Sequence, residues 1–278
     1  MSGEPRIEVL DDPAATSRAA AEAIATSLRD AVDRRGRADW ATTGGSTPGP
    51  IYGELARPPL RDDVPWDAVH AWWGDDRYVP RDHPLSNVLP LDQILLSATA
   101  HAGQSGSGAD GAEVTHGLEP GVPMPVANVH APRMSEAIGH AAGPGWVATE
   151  YADRLRDAAL PLSDDGFPIF DLILVGIGSD GHVFSVFPGS ALFESADWVA
   201  GIPAPTHIEP HVDRVSMHPR ILAVARSVIM VAHGEGKAEV LATVLGGERD
   251  ERRWPSQLAR RDGATWFLDK AAAASLPR

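Results

Sequence analysis

The chain contains no cysteine. Disulfides, thiolate zinc sites, iron–sulfur clusters and cysteine nucleophiles are therefore excluded. It also lacks any run approaching the ~20 consecutive apolar residues of a membrane helix. Met1 to Leu10, which includes Glu and Pro, does not read as a signal peptide. The expectation is a soluble, cytoplasmic protein with no membrane partner. No HExxH or HxH pair occurs, and His116, His130, His207 and His218 show no metal-ligand spacing, so no metal site is expected. Most of these histidines read as surface or structural. Basic residues are in deficit: 24 Lys+Arg stand against 38 Asp+Glu, a net charge of −14. Such an average field repels a nucleic-acid backbone. No nucleic-acid partner is expected, and Trp40, Trp66, Trp72 and Trp73 read as core or pocket wall. A small anionic ligand is repelled too, unless a few cations converge on one pocket.

What is present suits a globular α/β protein. The 278 residues are 43% hydrophobic and 22% charged, which allows one well-buried domain. Asp12-Pro13 has the form of an N-cap followed by Pro at the first helical position. Ala20, Ile24, Leu28 and Ala31 then form an apolar stripe, and Gly36 is placed as a C-cap. A strand is expected over Ala38 to Thr43, followed by a helix from Pro48 through Ile51, Tyr52 and Leu55. A second strand, Ala68 to Trp73, precedes a helix around Pro90 to Ser97. Residues 101 to 125 are rich in Gly, Ala, Ser and Pro without periodicity, the composition of a surface loop. Val126 to His130 reads as a short strand and Trp146 to Leu160 as a helix. Phe170 to Ile177 and Ser227 to Ala232 are near-continuous apolar runs that suit parallel strands buried on both faces. A helix over Gly236 to Leu245, a strand over Thr265 to Leu268 and an Ala-rich terminal helix complete the reading. Strands alternating with helices predict a parallel sheet with right-handed crossovers. Ligands of such sheets bind beyond the carboxyl ends of the strands, where four informative segments fall.

The first is Thr43-Gly44-Gly45-Ser46-Thr47-Pro48. Two glycines permit a sharp turn and close approach to a ligand, and the following helix N-terminus offers free N–H groups and hydroxyls to a phosphate. A tight turn capped by Thr47 is equally consistent. The spacing is neither a P-loop nor a dinucleotide fingerprint. The second, Gly176-Ile177-Gly178-Ser179-Asp180-Gly181-His182, brings an imidazole with an ordinary pKa of about 6.5 to a strand end, with Asp180 two positions away to orient it. The third, Gly74-Asp75-Asp76-Arg77-Tyr78-Val79-Pro80, offers carboxylates for base or hydroxyl-holding roles. Its Arg77 is suited to a phosphate or a developing oxyanion. A solvated Asp-Arg turn is the plainer reading. The fourth, Gly234-Glu235-Gly236-Lys237, puts a cation into the first turn of a helix, which is unfavourable unless an anion is present; an exposed lysine remains the alternative. Spacing assigns no role to Arg214.

Taken together, these stretches resemble the 6-phosphogluconolactonases, relatives of the glucosamine-6-phosphate isomerases/deaminases. The resemblance also includes Ser86-Asn87, the run from Phe170 to His182 continuing to Phe187-Pro188-Gly189, Asp213-Arg214-Val215-Ser216 and Ala238-Glu239. The blocks occur in the family's order over most of the chain. The resemblance implies a three-layer α/β/α, mostly parallel Rossmann-like sheet in a single domain over 1–278, with 101–145 a loop-rich insertion. It implies hydrolysis of 6-phospho-D-glucono-1,5-lactone to 6-phosphogluconate in the pentose phosphate pathway, with no cofactor. By the same resemblance Gly44, Gly45, Ser46 and Thr47 hold the phosphate with Arg214 and Lys237. His182 is then the general base, assisted by Asp180, and Arg77 steadies charge near the lactone. Asp75 is an acid that both branches of the family share. The deaminases follow their Asp-Gly-His with an Asn-Glu-Pro-Gly-like segment, where this chain has Val186-Phe187-Pro188-Gly189. Isomerase/deaminase activity and a non-catalytic sugar-phosphate sensor are the alternatives. The sensor would need a DNA-binding module, and the residues before the Gly-Gly turn show no helix-turn-helix. Departures from the family pattern include Asp76 for Glu, Ser179 for Pro, and Phe184 for Ala, a size increase expected to narrow the site. A monomer and a homodimer are both open.

Overall fold

The computed structural model describes residues 3–96 and 121–277. Most of the expected loop over 101–125 therefore lies outside the described residues. A single mostly parallel α/β domain is what forms. Strands β1 (Arg6–Leu10), β2 (Ala38–Thr42), β3 (Val69–Trp73), β5 (Val129–His130), β6 (Leu172–Val175), β9 (Ser227–Ala232) and β10 (Ala264–Asp269) make a seven-stranded sheet in the order β1-β10-β9-β6-β2-β3-β5. Each neighbouring pair in it is parallel. A second, antiparallel sheet is built from β4 (Asp75–Arg77), β8 (Arg214–Met217) and β7 (Val199–Ile202), in the order β4-β8-β7.

Alternation along the central strands divides the core into two layers, one on each face of the main sheet. Leu172 and Leu174 of β6, Ile229 and Val231 of β9 and Phe267 of β10 face α1 (Pro13–Arg35) and α2 (Pro48–Leu55). Their neighbours Ile173, Val175, Val228, Met230, Trp266 and Leu268 face the opposite layer. There α5 (Pro144–Asp157) and the helix ending the chain's last crossover, Ala238–Gly246, pack together with the small sheet. Both faces are thus covered, which is why these strands read as unbroken apolar runs.

Local signals explain the ends of α1. The Asp12 side chain accepts a hydrogen bond from the Ala15 N–H at 2.8 Å, Pro13 follows, and Gly36 closes the helix in the left-handed region at φ 74°. Elsewhere the elements differ from expectation. The Pro90–Ser97 helix is reduced to a π-type turn over Leu91–Leu95. The N-terminal segment and the acidic block after β3 are strands, and the Ala-rich C-terminus winds into turns. A short helix, α3 (Leu60–Asp63), precedes β3, and residues 121–143 hold a 3₁₀ turn (Val126–Asn128), β5 and the short helix α4 (Met134–Gly139). The last crossover is split: a 3₁₀ turn, Glu235–Lys237, precedes α7 (Ala238–Gly246), while α6 (Pro219–Val224) joins β8 to β9.

Candidate active site

Strands β3, β2, β6 and β9 lie side by side in that order, and the turns leaving their carboxyl ends converge on one cleft of about 290 Å³. Gly44, Gly45, Ser46 and Thr47 line it after β2, Asp75 and Arg77 after β3, His182 after β6 and Lys237 after β9. Arg214 enters from β8 of the small sheet. The residues to which the resemblance gives a catalytic or phosphate-binding role therefore line this cleft, except Asp180, which contacts His182.

The Gly-Gly turn is shaped by its neighbours. A Cβ on Gly44 would stand 1.7 Å from Asn87 Oδ1, so a side chain there would displace Asn87. Gly45 sits at φ 79° with open space around it. Thr47 occupies the N-cap position of α2 but makes no side-chain cap bond. The turn is therefore not explained by capping, and its residues from Thr43 to Thr47 line the cleft.

After β6 the chain folds around His182. Gly178 N–H donates to the His182 carbonyl at 2.9 Å. A Cβ on Gly178 would stand 2.0 Å from His182 Nδ1 and 2.6 Å from Asp180 Oδ1, so glycine makes the room for this pair. The two side chains meet at 2.6 Å between His182 Nδ1 and Asp180 Oδ1. Burial pushes the Asp180 carboxyl up. Hydrogen bonds and charge from His182, with a contribution from His207, overcome this and hold it well below the ordinary carboxylate range. An ionised carboxylate only accepts. In the neutral ring Nδ1 therefore carries the proton, and Nε2 is the nitrogen whose lone pair can serve a general base. The ring also packs on Phe187, with centroids 4.9 Å apart.

The β4 block forms the opposite wall. Asp75 is buried: its Oδ2 accepts from Ser185 Oγ at 2.6 Å and its Oδ1 from Asn87 Nδ2 at 3.2 Å. Asp76, fully enclosed, accepts from the N–H groups of Arg77 and Asn87 at 2.8 and 2.7 Å. Burial drives its carboxyl up to about 7, against those two bonds. Arg77 Nη1 donates to the Leu85 carbonyl at 2.8 Å, leaving its buried Nε without a partner. Arg77 and Arg214 are paired directly across β4 and β8. Arg214 is 3% exposed, donates to the Pro210 carbonyl at 3.0 Å, and likewise has a buried, unpartnered Nε. Burial lowers its pKa, and Arg77 lowers it further against the opposing effect of Asp75. Lys237 Nζ donates to the Ile177 carbonyl at 2.7 Å, and burial lowers its pKa as well. Three cations thus gather in one cleft of an acidic protein. Two of them stand opposite each other in a position that is unfavourable for like charges unless an anion intervenes.

Phe184 lines the cleft as expected from its size. Its backbone lies at φ 53°, rare for a bulky residue, and its ring fills the space beside Gly74, where a Cβ would come within 2.1 Å. The sequence carries no sign of Ser185 or of the role of Asn87; His207, read as surface, is exposed as expected but also reaches Asp180. Ser185 carried no signal of its own, because its hydrogen bond to Asp75 joins segments distant in the chain. Among the described residues no group of three or more His, Asp or Glu is placed to hold a metal ion. None of the described helices is long and apolar enough to cross a membrane.

Comparison with known proteins bears on this geometry. The family model for glucosamine-6-phosphate isomerases/6-phosphogluconolactonase matches residues 11–267. A 6-phosphogluconolactonase of Streptomyces coelicolor is 32% identical over 283 residues, covering 100% of this chain and 97% of that protein. A second, from Nostoc sp., is 31% identical, with 97% and 98% covered. The solved structure of the 6-phosphogluconolactonase from Trypanosoma cruzi matches with a TM-score of 0.79 at 26% identity, covering 100% of this chain and 99% of that one. With its fold, its ordered motifs and its full-length relatives in agreement, this chain belongs to the glucosamine-6-phosphate isomerase/6-phosphogluconolactonase family.

Proposed function

We propose that the chain hydrolyses 6-phosphoglucono-δ-lactone to 6-phosphogluconate. The observation that carries this reading is His182, its Nδ1 held by Asp180, in the same cleft as a glycine turn and three buried or half-buried cations. A phosphorylated substrate does not cross membranes unaided, since its charges cost too much in hydrocarbon, so we place the reaction in the cytoplasm.

In the proposed reaction the phosphate lies against residues 44–47, Arg214 and Lys237. This fixes the distance of the lactone carbonyl from the imidazole. His182 Nε2 removes a proton from water as the oxygen attacks C1, and Arg77 stabilises the carbonyl oxygen as it becomes an oxyanion. The intermediate collapses by breaking the C1–ring-oxygen bond. The imidazolium returns its proton to that oxygen, which becomes the C5 hydroxyl. One water is consumed and the base is regenerated, so no covalent nucleophile is required. Asp75, bonded to Ser185 and Asn87, is placed to hold a sugar hydroxyl.

The isomerase/deaminase alternative relies on a carboxylate beside the histidine for ring opening. Phe187 stands here with its ring against His182, and it has no proton to exchange. The test is a coupled assay with freshly prepared lactone, corrected for spontaneous hydrolysis. His182→Ala is expected to reduce kcat by about 10²–10⁴-fold, the usual span of general-base catalysis, with the fold retained. Release of ammonia from glucosamine 6-phosphate, or near-normal lactone turnover by His182→Ala, refutes the reading.

A further inference from the structure

His207 lies between β7 and β8, in a stretch whose Ile208 and Glu209 form part of the cleft wall. Its Nε2 stands 3.2 Å from Asp180 Oδ2, while the other carboxylate oxygen, Oδ1, holds His182. Because the ionised carboxylate only accepts, His207 Nε2 is the donor. The two imidazoles share a spacer. His207 meets the Phe187 ring edge-on at 5.2 Å, His182 packs on the same ring, and the Arg214 guanidinium lies 5.4 Å from its centroid. The stretch itself is tied down. Asp213 Oδ1 accepts from the Ala204 N–H at 2.9 Å, the Pro205 carbonyl lies 2.7 Å from His211 Nδ1, and the Tyr78 N–H donates to the Asp213 carbonyl at 2.7 Å. The donor is therefore presented to Asp180 from a braced loop.

We propose that His207 is a positioning residue for lactone hydrolysis: by holding the second oxygen of Asp180 it fixes the rotation of that carboxylate and moderates its pull on His182. The inference rests on the lactonase reading above. A carboxylate turns freely about its last torsion, a broad and roughly two-fold well. His182 holds it through one oxygen only, its N–H and Nδ1 both meeting Oδ1 at 3.1 and 2.6 Å, whereas a donor on Oδ2 as well locks the rotation. The second donor also draws charge from the carboxylate. Without it, Asp180 stabilises the imidazolium form of His182 more strongly and raises its proton affinity. Among the described residues, the other charged or titratable groups around the pair are Lys237 and Arg214, which act on Asp180, with Asp75 and Arg77 on the far wall, His233 lining the cleft after β9, and Glu209 and His211 in the same loop. All remain when His207 is replaced, so a change in the acid limb reports the lost donor.

The test is steady-state kinetics of the full chain on fresh lactone between about pH 5 and 9, comparing wild type with His207→Ala, His207→Gln and His182→Ala. His207→Ala is expected to lower kcat about tenfold with KM held within about twofold, and to move the acid limb of kcat upward by about half a pH unit. The side-chain amide of His207→Gln reproduces an N–H donor and is expected to recover most of both changes at an unaltered Tm. Wild-type kcat and acid limb in His207→Ala overturn the proposal. Equal impairment of both His207 variants with an unmoved limb also overturns it, since that is the signature of a merely structural contact. Full turnover by His182→Ala would instead bring down the lactonase reading and this inference with it, and so separates the two failures.

Discussion

At the level of single residues, glycines mark where the cleft needs space, but for different reasons. At Gly178 the constraint is steric, because a methyl group there overlaps the His182–Asp180 contact. At Gly45 it is conformational, because the surroundings are open and only the φ of 79° disfavours a side chain. The two substitutions should part accordingly. Gly178→Ala is expected to lower kcat by at least about 10²-fold, by forcing the imidazole off its partner, with little change in unfolding midpoint. Gly45→Ala is expected to cost about 1–2 kcal/mol of stability, measured by urea unfolding. An active Gly178→Ala enzyme would mean that His182 reaches its working position without Asp180. These glycines, with the charged residues among them, are also why the site was readable from sequence: each breaks an apolar run at a strand end. Asn87, Ser185 and His207 break no pattern. Their roles come from hydrogen bonds made across the fold, to Asp75 and Asp180.

At the level of elements, the long and strongly patterned segments were legible and the short ones were not. The first helix carries an N-cap, a stripe and a C-terminal glycine, and β6 and β9 are apolar on both faces. By contrast β4 spans three residues and β8 four, too few for alternation to show. Their antiparallel pairing joins distant parts of the chain, so the small sheet left no local trace. The Ala-rich terminus has high helix propensity but follows β10 with too few residues to offset the cost of nucleating a helix. The unread pairing has a chemical consequence, because it sets Arg214 opposite Arg77. An Arg214→Met variant, apolar and of similar length, removes a buried, incompletely bonded charge. It is expected to leave the free protein as stable as wild type or slightly more so. It should also abolish stabilisation by inorganic phosphate and raise KM for the lactone about tenfold or more. Thermal unfolding with and without phosphate, alongside kinetics, checks both halves. A lowered Tm with unchanged KM would make Arg214 a structural residue.

At the level of the whole molecule, the acidic excess and the cationic cleft are complementary: the surface repels anions generally and the site admits one. Two groups shifted by burial titrate with folding in opposite senses. Near the carboxyl ends, burial holds Asp76 protonated up to about 7, against an ordinary value of 3.8. The folded state thus binds a proton that the unfolded chain has released, and stability falls as pH rises from about 4 to 7. Away from that cleft His130 stacks on Trp72, with centroids 3.9 Å apart, and lies 2.9 Å from His70. Burial, then the charges of His70, Arg154 and Arg37, hold it down at about 3, against an ordinary 6.5. Here the unfolded chain binds the extra proton, so stability falls as pH drops below about 6.5. Between about pH 4 and 6.5 the two slopes oppose each other, and wild type should show a shallow dependence that conceals both. Single variants separate them. Relative to wild type, Asp76→Asn is expected to gain about 2–4 kcal/mol as pH rises through that window, while His130→Gln gains as pH falls. Urea unfolding at about pH 4.5 and 7.5 reads both differences. Offsets of the same size at both pH values would show that neither group titrates with folding, and that the fold tolerates a buried Asp76 in its ionised form.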